Sequence, residues 1–149
     1  MLTSSSKKRK LNVVLDTNVW VSAMIWGGLP AEIIKAAENH QISITISEEI
    51  VEEINHTLQY HLLREIYEMT GLNREQLMAL VLQIGKLAQV TSKLKIVKAD
   101  PSDDKFIECA SASGAEFIVS GDKHLLEVKK YEKTRILSVG EFMKILKQR

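Results

Sequence analysis

A single cysteine, Cys109, among 149 residues excludes an internal disulfide. Charge of one sign is missing too. The 20 Lys and Arg residues stand against 19 Asp and Glu, a formal net charge of +1. No global basic field advertises nucleic acid, so any contact with phosphate has to come from local patches. No apolar run approaches the roughly 20 residues of a membrane helix. Zinc spacing is absent: His56 and His61 are five apart, which separates them on a helix, and His40 and His124 have no Cys or His partner nearby in the sequence. Gly27-Gly28 lacks the Lys-Ser/Thr that completes a phosphate-binding loop, which leaves nucleoside triphosphate hydrolysis unsupported. Repeats, low-complexity tracts and internal linkers are also lacking. The expectation is a soluble, cytoplasmic protein without a membrane partner.

What is there suits one domain, because a chain of this length with 45% hydrophobic residues can bury a sizeable core. Residues 1–10, with Lys7, Lys8, Arg9 and Lys10, read as a flexible basic tail, and residues 11–149 as the domain. The apolar run after the tail is short and interrupted by Asp16 and Asn18, which does not fit a signal peptide.

Leu11 to Leu15 is a valine-rich run that predicts a buried strand, stopping at Asp16-Thr17-Asn18. Apolar residues from Val19 to Ile25 predict a helix ended by Gly27-Gly28, and Pro30 opens a second helix running to about His40. Ile42, Ile44 and Ile46 alternate as a strand. Ser47 with Glu48 and Glu49 predicts a helix start, with its acids near the positive end of the dipole. That helix should reach about Tyr60. Further helices are expected over Leu62 to Met69 and from an Asn73 cap through Leu87. Gln89 to Ala99 is β-rich but carries lysines, which suits either a short edge strand or a connection. Asp100 to Asp104 marks a turn and a helix start, and Gly114 ends that helix. Glu116 to Ser120 reads as a strand leading into Ser120-Gly121-Asp122. A short helix near His124 to Val128, a strand at Arg135 to Leu137 and a helix from Val139 to Leu146 complete the chain. Strands separated by helices imply a mostly parallel α/β sheet.

In such sheets ligands bind beyond the carboxyl ends of the strands, where Asp16 and Asp122 stand. A helix starting near Asp104 runs antiparallel to the next strand, which brings its first turn to the same edge. Glu53 lies about two turns into the helix from Ser47, with Glu49 four residues before it on the same face. Converging carboxylates repel one another, so their coexistence points to divalent cations, and an all-oxygen donor set favours Mg²⁺ or Mn²⁺. That chemistry suits hydrolysis of a phosphodiester. Each acid also has an ordinary role: Asp16 or Asp104 as a helix cap, Asp122 as a turn residue, Glu53 as a solvated helix position. Asp103 is either the cap that leaves Asp104 to the site or an assistant acting through water. Thr17 and Asn18 either anchor the ligands or make local turn bonds. Cys109 falls on an apolar helix face. Trp20 and Trp26 pack the core or an interface, or stack a base.

The blocks VVLDTNVWVSA, SEEIVEEI and DPSDDKFIECASASGAEFIVSGDKHLL resemble those of PIN domains, over nearly the whole chain from Leu11. More narrowly, they resemble the group described as toxin components of toxin-antitoxin systems, related to virulence-associated protein C. The resemblance implies a three-layer α/β/α fold with a central, mostly parallel twisted sheet. It also implies an endoribonuclease using Mg²⁺ or Mn²⁺ and an activated water, with RNA as substrate, an antitoxin protein as partner, and a homodimer or higher homo-oligomer. Carried over block by block, the catalytic and metal-binding acids are Asp16, Glu53, Asp104 and Asp122. Thr17, Asn18, Glu49, Asp103 and Ser120 are supporting candidates. Glu49 and Glu52 neighbour Glu53, and Asp103 competes with Asp104.

A haloacid-dehalogenase-like phosphatase would need a second Asp two residues after the first, and that position is Asn18. The alternative within the resemblance is a non-catalytic scaffold that binds RNA or a protein partner. Lys105, Lys123 and the Lys7 to Lys10 cluster are the cations expected to meet phosphates.

Overall fold

The structure, a computed structural model, describes residues 9–98 and 100–149. Its centre is β1 (Leu11–Leu15), in which Val13, Val14 and Leu15 are all fully buried. Successive side chains on a strand point to opposite faces, so both faces of the sheet are covered by helices. The chain continues through α1 (Thr17–Ile25), α2 (Gly28–Glu38), β2 (Ile42–Ile46), α3 (Glu48–Thr57), α4 (His61–Met69), α5 (Arg74–Ile84) and β3 (Gly85–Leu87). A 3₁₀ turn (Pro101–Asp103) leads into α6 (Asp104–Ser113), β4 (Phe117–Val119), α7 (Lys123–Val128), β5 (Lys130–Tyr131), β6 (Thr134–Leu137) and α8 (Val139–Lys147). The expected α/β architecture with a mostly parallel central sheet is the one found. Its six strands lie in the order β3-β2-β1-β4-β6-β5, all parallel except the β5–β6 pair.

Side-chain caps set several helix starts. Asp16, Ser47, Asn73, Asp122 and Ser138 each accept a backbone N–H in the first turn, and Asn73 with Gln76 and Ser138 with Glu141 complete reciprocal boxes. Such a cap typically contributes about 1 kcal/mol. Trp20, Phe106, Tyr67 and Phe142 are the largest fully buried side chains, and Cys109 lies in the core as its helix face predicts. Burial pushes the Cys109 thiol up to about 12, so it is inert as a nucleophile. Trp26 is exposed.

The sequence reading is corrected at three places. Helix α2 begins at Gly28 rather than Pro30, which sits within the first turn, where its missing N–H costs no bond. Helix α5 ends at Ile84, and Gly85 to Leu87 form an edge strand on β2 instead of the helix's last turn. Gly85 is needed there because an added Cβ would stand 2.8 Å from Ile46 Cδ1. The hairpin strand β5 was not anticipated. The basic tail at residues 1–8 lies outside the described residues; Arg9 is exposed and pairs with Glu116 at 2.6 Å.

The segment from Ala88 to Lys98 forms no strand, and its backbone donors are met otherwise. Glu108 on α6 accepts from Leu94 N at 2.8 Å, and Asp104, one turn earlier, accepts from Ile96 N at 3.1 Å and Val97 N at 2.8 Å. Lys93 pairs with Glu49 on α3. Two nearly buried carboxylates thus strap the connection across α6. Glu108→Ala should leave Leu94 N unpaired at a cost of about 1 to 3 kcal/mol. Trypsin should then cut at Lys95 or Lys98 several times faster than in the wild type; an unchanged cleavage rate would contradict this anchoring.

Candidate active site

Strand order assigns a crevice before any side chain is considered. From β1 the chain moves to β2 on one side and later returns to place β4 on the other, so the direction of winding reverses between β1 and β4. At such a switch point the loops leaving the two strands part and open a crevice at their carboxyl ends. Asp16 follows β1 directly, and Ser120 and Asp122 follow β4.

Asp16 is only 4% exposed. Its backbone N–H donates to Val119 O at 3.1 Å, its Oδ1 accepts from Val19 N at 2.8 Å, and its Oδ2 accepts from Ser120 Oγ. Ser120 Oγ in turn accepts from Asp122 N at 2.9 Å, so one buried hydroxyl ties the two strand-end acids together. Asp122 Oδ1 accepts from His124 N at 2.7 Å. A cleft of about 290 Å³ lies over them, lined among others by Asp16, Asn18, Glu53, Asp100, Asp103 and Asp122. Glu53, on α3, accepts from Thr17 Oγ1 and from Lys105 Nζ.

Of the four acids expected to converge, the structure brings Asp16, Glu53 and Asp122 together and leaves Asp104 out. Asp104 turns toward the strap, where Ile96 and Val97 occupy its Oδ1. Asp103 stands in the cleft instead. It ends the 3₁₀ turn and its side chain makes no capping bond, which frees it to face the other acids. Of the acids on α3, only Glu53 reaches the cleft, beside His56 and Thr57 of the same helix. Glu49 and Glu52 line a separate groove of about 510 Å³ with Lys93. Lys105, expected to meet phosphate, is largely buried and engaged by Glu53, whereas Lys123 is exposed at the start of α7. Two residues that sequence reasoning did not select also stand at the site. Asp100 caps the 3₁₀ turn, and together with Asp122 and His124 it offers ligand atoms that all lie within 4.8 Å of one another. The signal for them was their spacing from Asp103 and Asp122, three and two residues away.

The donor set fits a divalent cation. Asp103 is 8% exposed, yet its Oδ2 has no hydrogen-bond partner among the described residues. An unpaired buried carboxylate oxygen costs several kcal/mol unless an ion or a proton meets it. Burial first, and then the charges of Asp122, Asp100 and Asp16, push Asp103 up to about 7. Burial likewise raises Asp16, against the lowering effect of its bonds from Ser120 and Val19. Asp100 is held below the usual range by Ser102, whose hydroxyl and N–H both donate to it.

The folded, metal-free protein therefore binds the Asp103 proton more tightly than the unfolded chain does. Its stability rises as pH falls from about 7 toward the ordinary value of 3.8, and above 7 the full penalty of ionisation is present. Asp103→Asn removes that penalty. In EDTA the variant should be more stable than the wild type at pH 8, by something on the order of 2 to 4 kcal/mol in urea unfolding, and the difference should vanish near pH 4. Equal stability of the two proteins at both pH values would show that Asp103 is not electrostatically strained.

A family model described as the PIN domain matches residues 12–124. A search of curated proteins returns no match. Among solved structures, the crystal structure of PAE2754 from Pyrobaculum aerophilum is similar in fold. It superposes with a TM-score of 0.59 at 13% identity, over 94% of this chain and 91% of that one. With a family match running from β1 to the start of α7, across the strand ends that carry Asp16 and Asp122, the chain belongs to the PIN domain family.

Proposed function

We propose that the protein is a metal-dependent endoribonuclease whose cation is held by Asp16, Asp103 and Asp122, with Glu53 at the edge of the same cleft. PIN domains are commonly metal-dependent nucleases, and the acids of this chain gather where its sheet opens. The observation that carries the reading is the buried, partnerless Asp103 Oδ2 facing Asp16 and Asp122. When bound, Mg²⁺ or Mn²⁺ supplies a water of lowered pKa and neutralises charge that develops on the phosphate.

The chain's own groups prepare that chemistry. Ser120 Oγ keeps Asp16 and Asp122 in fixed relation. Glu53 orients Thr17, next to Asp16, and holds the Lys105 ammonium, so it acts as a positioning residue. Lys123 and the Lys7 to Lys10 cluster are the cations we assign to phosphates along the RNA, contacts that position a strand without reading its sequence. In the cell this reading extends to a cytoplasmic toxin restrained by an antitoxin protein. Exposed Leu62, Met69, Leu82 and Leu87, on α4, α5 and β3, support self-association as a homodimer or higher homo-oligomer.

Cleavage of a structured RNA with Mn²⁺, Mg²⁺ or EDTA tests the reading. The wild type should cut only with metal. Asp16→Asn and Asp103→Asn should lose more than the roughly 10- to 100-fold that follows removal of an outer-shell partner. Asp104→Asn, which keeps an acceptor for the strap, should retain most activity. Loss with Asp104→Asn but not with Asp103→Asn would overturn the assignment. RNA binding without cleavage under any condition would favour the non-catalytic scaffold.

A further inference from the structure

One wall of the cleft is not built from acids. Glu53, His56, Thr57 and Tyr60 all line it, at spacings that place them in one row along α3 and the turn that follows. At 1.5 Å of rise per residue, His56 lies roughly 5 Å and Tyr60 about 10 Å beyond Glu53 along the axis. The other acids lining the cleft follow strand ends or stand at the 3₁₀ turn, so past Glu53 this row carries no carboxylate. A polyanion that reaches the acids meets the least repulsion along that row.

The outer end of the row is aromatic and already ordered. Of the three tyrosines, Tyr67 is buried, Tyr131 is half-buried, and Tyr60 is 56% exposed. The Tyr60 ring is not loose in solvent: it forms a T-shaped pair with the His56 ring, with centroids 5.6 Å apart and planes at 79°. Its backbone is held on both sides. Tyr60 N donates to Thr57 O at 3.1 Å, and Tyr60 O accepts from Arg64 N at 3.0 Å as α4 begins. A large exposed ring fixed beside a cleft loses little freedom when a flat group stacks on it.

We propose that Tyr60, held in its pair with His56, is a shelf on which one nucleobase of the RNA stacks, beside the phosphate that lies at the acids. This inference rests on the nuclease reading of the cleft and names the contact that fixes one nucleotide of the substrate there. Every base has a π-face, so the shelf holds a base without reading which one it is. A base offers that face only when it is out of a duplex, so the shelf favours loops, bulges and ends over paired segments. A protein side chain is the other occupant that an exposed ring accepts. The row shared with Glu53, leading straight to the acids, favours the base.

The test uses the full chain with short single-stranded RNAs that carry 2-aminopurine at successive positions, with Ca²⁺ in place of Mn²⁺. Stacking on an aromatic ring quenches 2-aminopurine fluorescence. Wild type should quench it at one position, and Tyr60→Phe should keep the quenching. Tyr60→Ala and Tyr60→Leu, the second keeping apolar bulk without a π-face, should lose it and bind the RNA about 5- to 100-fold more weakly. Because Tyr60 is exposed, both should melt as the wild type does. An abasic site at the quenched position should weaken binding to wild type by a similar factor and leave Tyr60→Ala unaffected, a dependence that a merely structural role for Tyr60 would not produce. Metal-dependent cleavage with no quenching at any position, or an abasic penalty equal in wild type and Tyr60→Ala, would overturn the shelf and leave the nuclease reading standing. Unchanged RNA binding in Tyr60→Ala together with loss of self-association in sedimentation would assign the ring to a protein contact instead. Absence of both RNA binding and cleavage in wild type would overturn the two readings together.

Discussion

Several carboxylates share one crevice at the switch point of the sheet, and among the described residues Lys105 is the only Lys or Arg paired with any of them. Mutual repulsion on that scale is unfavourable for the empty fold, and the structure shows how it is contained. Ser120 and the first-turn N–H groups of α1 and α7 donate to Asp16 and Asp122, and Lys105 answers Glu53. Asp103 alone is left unanswered, and its raised affinity for a proton records that deficit. A divalent cation offsets what the protein's own donors do not.

The remaining architecture serves to hold these groups still. Asp16 directly follows β1 and Asp122 stands three residues beyond the end of β4, and each caps the helix that follows, a position that leaves little freedom in direction. Asp103 is placed less directly. It stands where the strap of residues 88–98 and the 3₁₀ turn meet α6, and the strap is tied down by Asp104 and Glu108. The two adjacent aspartates divide the work: Asp104 secures the backbone that delivers the chain to the cleft, and Asp103 points into it.

Much of this was legible in residue order. The five-residue stretches before Asp16 and Ser47, the first valine-rich and the second alternating isoleucine with Ser43 and Thr45, and the Phe117-Ile118-Val119 run before Ser120, announce strands of a mostly parallel sheet. A strand end is the one place where sequence position alone tells which edge of the sheet a side chain occupies. The helical phase of Glu53 was less certain, because Glu49 and Glu52 flank it and only the packing of α3 decides which one reaches the cleft. The choice between Asp103 and Asp104 turned on whether α6 is preceded by a 3₁₀ turn, which rotates the chain by a different angle per residue than an α-helix does. Strand β3 was read as helix because its pairing with β2 is non-local, and propensity carries no such information. Asp100 went unselected because it joins the site through a 3₁₀ turn, and His124 because the six-residue helix that carries it is too short for periodicity to show which face meets the cleft.

The measurement closest to the central claim is anomalous diffraction from crystals soaked in Mn²⁺. The account predicts a peak within coordination distance of Asp16, Asp103 and Asp122, with Asp104 still accepting from Ile96 and Val97. A peak ligated by Asp104, or none in the cleft at saturating Mn²⁺, would contradict it.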